Sequence, residues 1–135
     1  MIDKLTQALD FNGQALQLRA KRQELLASNI ANADTPNYKA ADFDFAAALK
    51  AATEPGPGAK DGALRVSDAN HLGAKSVGNL ATPLLYRSAV QPSIDGNTVD
   101  MDTERTQFTD NAVRYEAAMR FLNGQIKTIL SAIQG

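Results

Sequence analysis

The stretch Met101–Gly135, MDTERTQFTDNAVRYEAAMRFLNGQIKTILSAIQG, decides the fold. Within it Phe108, Ala112, Tyr115, Met119, Leu122, Ile126, Ile129 and Ile133 recur at alternating steps of four and three, and every one is apolar or aromatic. That spacing is a coiled-coil seam sustained for nearly four heptads, so it predicts a long amphipathic helix. Asp100, Asp102 and Glu104 stand at its start, where anions favour the helix dipole, and Lys127 stands in its last turns, where a cation does. Val113, Ala117 and Phe121 give the same helix a second apolar patch.

The other end of the chain carries a matching signal. From about residue 3 to 33 the positions Ile2, Leu5, Leu9, Asn12, Leu16, Arg19, Gln23, Leu26, Ile30 and Ala33 follow three-four steps. The stripe is apolar at both ends and broken by Asn12, Arg19 and Gln23 in its middle. Phe11, Ala15, Leu18 and Leu25 form a second stripe, and Pro36 sets the stop, because the residue before a proline is pushed out of helical angles. The expected fold is mainly α, with the long terminal helices packed as a coiled-coil pair, parallel or antiparallel. Each helix has a main seam and a side patch. Either neighbouring subunits cover the side patches, or the middle of the chain folds back over them.

The expected divisions are 1–36, a coiled-coil helix; 37–98, an irregular middle; and 99–135, the second coiled-coil helix. The Ala-rich stretch 40–52, with Phe43, Phe45 and Leu49, reads as a short helix or an extended arm. A Pro/Gly loop follows at 53–63. Leu64–Val66 and Leu84–Val90 are able to form a small β-hairpin, confined by Pro83 and Pro92.

Composition narrows the function. The 135 residues fit one domain, with a net charge of −1, no Trp and no Cys. Disulfides, thiol nucleophiles and cysteine metal sites are excluded, and the charge gives no reason to expect a nucleic-acid partner. Arg19, Lys21 and Arg22 are followed by Glu24 and read as a solvated helix face. The N-terminal residues lack a continuous apolar core of a signal peptide, and no run approaches a membrane span.

Catalytic chemistry has little to build on. His71 is the single histidine, crowded with Ser67 and Asp68 in a loop-like stretch that is unlike a triad. Counted as a calcium loop from Asp95, the fifth and sixth positions are Val99 and Asp100 where an oxygen ligand and glycine are needed. Asp95, Gly96 and Asn97 read instead as a turn, with Asp100 leading into the helix. No cofactor, metal or small-molecule substrate is expected.

Two motifs are specific. One runs Leu26-Ala-Ser-Asn29-Ile30-Ala-Asn32-Ala-Asp-Thr35-Pro36-Asn37-Tyr38; Asn29 and Asn32 lie three apart, on one helix face. The other is Asp95-Gly96-Asn97-Thr-Val-Asp100-Met-Asp-Thr-Glu104, running into the C-terminal helix. With these two motifs the chain resembles the bacterial flagellar basal-body rod proteins, most closely the short members of the proximal rod. The resemblance covers about 1–45 and 90–135, with Asn70-His71-Leu72 between. It departs at Asn37, where the family often has Gly; Asn tolerates left-handed angles, so the turn should survive.

The resemblance implies a structural subunit exported without a cleaved signal through the flagellar type III apparatus. It implies helical assembly in the periplasmic rod, with copies of itself and neighbouring rod and basal-body proteins as partners, into a shaft that transmits torque. The implied assembly residues are Leu9, Leu16, Leu26, Asn29, Ile30, Asn32, Thr35, Pro36 and Tyr38 at one end. At the other they are Phe108, Tyr115, Met119, Leu122, Ile126, Ile129 and Ile133. A closed coiled-coil binding module, such as an export chaperone, is the rival reading. A rod-associated hydrolase is a third, without a supporting constellation.

Overall fold

The computed structural model describes residues 2–53, 82–90 and 93–135. Its elements run α1 (Ile2–Ala31), β1 (Ala41–Asp42), α2 (Phe45–Thr53), β2 (Leu85–Tyr86) and α3 (Met101–Gln134). Leu64–Val66, His71 and the Pro/Gly loop beyond Thr53 lie outside the described residues.

At about 1.5 Å per residue, α1 and α3 are rods of roughly 45–50 Å. They lie antiparallel: Asn12 near the start of α1 bonds Gln125 near the end of α3, and Asn29 near the end of α1 bonds Glu104 near the start of α3. This resolves the choice that periodicity leaves open.

Three linked devices form the closed end of this hairpin. The last turn of α1 gives way at Ala31 to turns through residue 37, where Asn37 takes φ +60°. The segment after it is bonded on both edges. On one side Asn37 N–H donates to Asp95 C=O at 2.8 Å and Thr98 N–H to Tyr38 C=O at 3.1 Å. On the other, β1 pairs antiparallel with β2, Ala41 facing Tyr86 and Asp42 facing Leu85. A strand therefore forms within the expected 84–90 segment, and among the described residues its partner is residues 41–42; the expected partner 64–66 lies outside the described residues. Asp100 then caps α3, its carboxylate accepting from the N–H groups of Asp102 and Thr103.

The middle of the chain covers part of α1's second stripe. Leu18 is buried with Phe43 and Ala48, and Leu25, Phe45 and Leu49 pack against them. Asp44 starts α2, accepting from the N–H of Ala47 through its side chain and of Ala48 through its carbonyl. So the fold-back alternative holds for Leu18 and Leu25. Phe11 stays exposed, as do Val113 and Phe121 on α3.

Candidate assembly surface

Three columns of side chains, each at seven-residue spacing, run down α3. The inner column is Glu104, Asn111, Ala118 and Gln125; Glu104 and Asn111 are buried and the other two partly so. It meets α1 through hydrogen bonds. Asn29 Nδ2 donates to Glu104 Oε2 at 3.1 Å, and Asn111 Nδ2 to Arg19 C=O at 2.9 Å and Gln23 Oε1 at 2.6 Å. Asn12 Nδ2 donates to Gln125 Oε1 at 2.9 Å. The shared column, Phe108, Tyr115, Leu122 and Ile129, is half-buried throughout. The outer column is Ala112, Met119, Ile126 and Ile133, and exposure rises along it, from 38% at Met119 and 41% at Ile126 to 76% at Ile133.

The fully apolar seam of the sequence is thus the shared column with the outer one. The pairing inside the chain uses the shared column with the inner one, which is mostly polar. Two polar interruptions of α1's stripe, Asn12 and Gln23, answer it with their side chains, and Arg19 with its backbone carbonyl. One chain leaves the more apolar of its two seams half open.

A charged cluster locks the middle segment to this hairpin. Arg22 grips Asp42 with two bonds, Nε to Oδ1 at 3.0 Å and Nη2 to Oδ2 at 2.9 Å, and its Nη2 also reaches Gln107 Oε1 at 2.9 Å. Arg87 donates to Asp42 Oδ2 and, at 2.6 Å, to Glu104 Oε1. Burial pushes the Asp42 carboxyl up, but the Arg22, Phe43 N–H and Arg87 hydrogen bonds outweigh it and hold the carboxyl below its usual range. The Arg22 guanidinium is raised by its hydrogen bond to Asp42. Two cations against two anions leave the cluster neutral, as buried charge requires. Arg19 is likewise no solvated charge: its guanidinium lies 4.3 Å from the Phe45 ring centroid.

Two shallow grooves flank the hairpin. One, of about 400 Å³, is lined by Ala20, Gln23, Glu24, Ala27, Phe108, Ala112 and Tyr115. The other, of about 440 Å³, lies at the open end between Leu5, Ala8 and Leu9 of α1 and Phe121, Gly124, Gln125 and Ile129 of α3. Small and apolar residues dominate their walls, with Gln23 and Glu24 in the first and Arg120, Gln125 and Thr128 in the second. Among the described residues, no group of three or more His, Asp or Glu side chains could hold a metal ion. Nor, among the described residues, is any helix long and apolar enough to cross a membrane.

Residues 9–39 match the model of the family described as flagella basal body rod protein. The whole chain is 50% identical to the flagellar basal body rod protein FlgB of Salmonella typhimurium, over 100% of this chain and 99% of that one. It is 50% identical to FlgB of Escherichia coli, over 99% and 98%, and 43% identical to FlgB of Cereibacter sphaeroides, over 94% of each.

The chain belongs to the FlgB family of flagellar basal-body rod proteins. Both sequence motifs of the family lie at the closed end of the hairpin. Asn29 is fully buried: besides Glu104 it donates to Ala41 C=O at 2.8 Å, and its Oδ1 accepts from Ala41 N–H and the Tyr38 hydroxyl. Leu26 is buried beside it. Neither offers surface to a neighbour. Asn32 is half-buried, donating to Ser28 C=O and accepting from the Thr35 hydroxyl, and Thr35 and Pro36 are exposed. Leu9, Leu16, Ile30 and Tyr38 are partly buried. In the second motif Asp95 turns the chain, Gly96 takes φ +72°, and buried Asn97 donates to the carbonyls of Asn32, Ala33 and Thr35.

Sequence reasoning missed the Arg22–Asp42–Arg87–Glu104 cluster. Its members are scattered through the chain, and no local pattern joins them. It also missed that one face of α3 is polar by design, because a search for apolar periodicity passes over Glu104, Asn111 and Gln125.

Proposed function

We propose that this chain builds the flagellar rod through the outer column of α3 and the open-end groove, surfaces its own hairpin leaves bare. As a FlgB-family member it is a structural subunit of the basal-body rod and not an enzyme. Copies pack head to tail with one another and with neighbouring rod proteins, and such contacts continue as an open helix when the rotation does not close. The subunit reaches its place through the flagellar type III export apparatus without a cleaved signal. The finished helical array transmits torque across the periplasm.

The observation that carries this reading is the exposure of Met119, Ile126 and Ile133 beside a shared column already half-buried in the hairpin. A coiled-coil seam with one wall in place needs only a second helix. Fully burying a Leu, Ile or Met side chain stabilises by roughly 1.5–3 kcal/mol, so a few per subunit, repeated along the array, would give a stiff shaft. Ile126→Asp tests it, because position 126 faces away from α1, whereas Leu122→Asp would break the hairpin as well. The expected variant keeps its helical content in solution and is exported, yet yields basal bodies without a rod and non-motile cells. Normal rods and motility in Ile126→Asp would refute the reading.

A further inference from the structure

The inner column of α3 raises a question that assembly does not answer. Glu104, Asn111 and Gln125 hold three of the four positions of one heptad column, with Ala118 between the last two, where coiled-coil seams ordinarily carry apolar residues. Asn111 is the plainest case. It is fully buried, and its Oδ1 has no hydrogen-bond partner. A buried acceptor left unpaired weakens the folded state and offsets part of what the two bonds from its Nδ2 contribute.

We propose that Glu104, Asn111 and Gln125 are specificity-determining residues that make α1 of the same chain the only helix able to cover this face of α3, in one register. With an apolar inner column, α3 would present three adjacent apolar columns. A second copy's α3 could then displace α1, or α1 could slip by a heptad. Polar groups at isolated core positions of coiled coils fix register and partner in this way, at the expense of stability.

The contacts fit that role. α1 carries answering groups at the right places: Asn29 for Glu104, Gln23 and the Arg19 carbonyl for Asn111, Asn12 for Gln125. A one-heptad slip would set Asn111 against Leu16 or Ile30 instead of Gln23, and Gln125 against Leu5 or Arg19 instead of Asn12. A second α3 packed antiparallel about Ala118 would pair Asn111 with Gln125 but set Glu104 against Ala132, leaving that carboxylate without a donor. The selection leaves the outer column as the one coiled-coil wall open to neighbours. It depends on the hairpin alone, so it can fail while the rod reading stands, and the reverse.

The test uses the full chain, which has no native cysteine. Ala118→Cys places a thiol in the inner column, in the natural background, with Gln23→Leu and Asn111→Leu together, and with Asn12→Leu and Gln125→Leu together. Thermal unfolding is followed by circular dichroism, and disulfides between copies are followed by non-reducing electrophoresis under mild oxidation. The proposal expects the leucine backgrounds to melt at a higher temperature and to form the intermolecular disulfide severalfold faster than the natural background. A lower melting temperature would mean that the polar residues serve stability, and would overturn it. So would leucine variants whose cross-linking matches the natural background.

Discussion

Asn97 holds the two ends of the chain together with one amide. Its Nδ2 donates to the carbonyls of Asn32 at 3.0 Å, Ala33 at 2.8 Å and Thr35 at 2.9 Å, and its Oδ1 accepts from Val99 N–H at 2.8 Å. The carbonyls are those freed where α1 ends, and a helix end needs such partners. Asn97→Ala removes all three bonds; Asn32 C=O keeps the Thr35 N–H and Thr35 C=O the Tyr38 N–H, so the loss falls chiefly on Ala33 C=O and should lower stability by about 1 kcal/mol, read from urea unfolding. The neighbouring contact is equally close: a Cβ at Gly96 would lie 2.7 Å from Asn37 Oδ1, at a φ of +72° that favours glycine. The positive φ at Asn37 was legible, because a turn had to follow Pro36 and Asn accepts it. The reach of Asn97 was not, since a turn motif says nothing about carbonyls more than sixty positions away. Asp42 gives a pH signature. Its carboxyl is depressed in the folded chain, so its stabilisation is full above the unfolded value of 3.8 and is lost as pH falls through the lower folded value. Acid titration of helicity should therefore show destabilisation below about pH 4, and Asp42→Asn should be less stable at neutral pH with a flatter acid response.

Among the elements, α3 shows how far periodicity can be read. Its existence, its start at the Asp100 cap and its length follow from the heptads and the acidic first turn. The register against α1 does not, because apolar spacing marks every face that will be buried, by this chain or another. Phe108, Tyr115, Leu122 and Ile129 belong to both seams, and the sequence read them with the outer column alone. The α1 stripe was read with its polar breaks at Asn12, Arg19 and Gln23; these proved to be contacts. Two glycines stand inside the long helices, Gly13 and Gly124, and a Cβ at either meets nothing within 4 Å. Ala at a helix interior is better than Gly by roughly 0.5–1 kcal/mol, so Gly124→Ala should raise the melting temperature of the isolated chain. Gly124 also lines the open-end groove. If a neighbour's side chain sits there, the same substitution should impair rod assembly although the subunit is more stable.

As a whole, the molecule is a hairpin whose two long helices are fastened at one end and barer toward the other, while Tyr86 and Ile94 stay exposed at the fastened end. Capping, strand pairing and the charged cluster gather at the closed end, where Leu26, Asn29, Glu104 and Asn111 are fully buried. Toward the open end Leu5, Phe11, Phe121, Leu130 and Ile133 are exposed. This gradient suits a subunit that folds its junction alone and completes its helices against neighbours. The most direct measurement is a density map of an intact basal body with this chain traced in its rod. The account predicts that Met119, Ile126 and Ile133 of each copy lie against a helix of an adjacent subunit, with the α1–α3 register unchanged. A rod in which that column faces open solvent, while subunits meet through other surfaces, would contradict it.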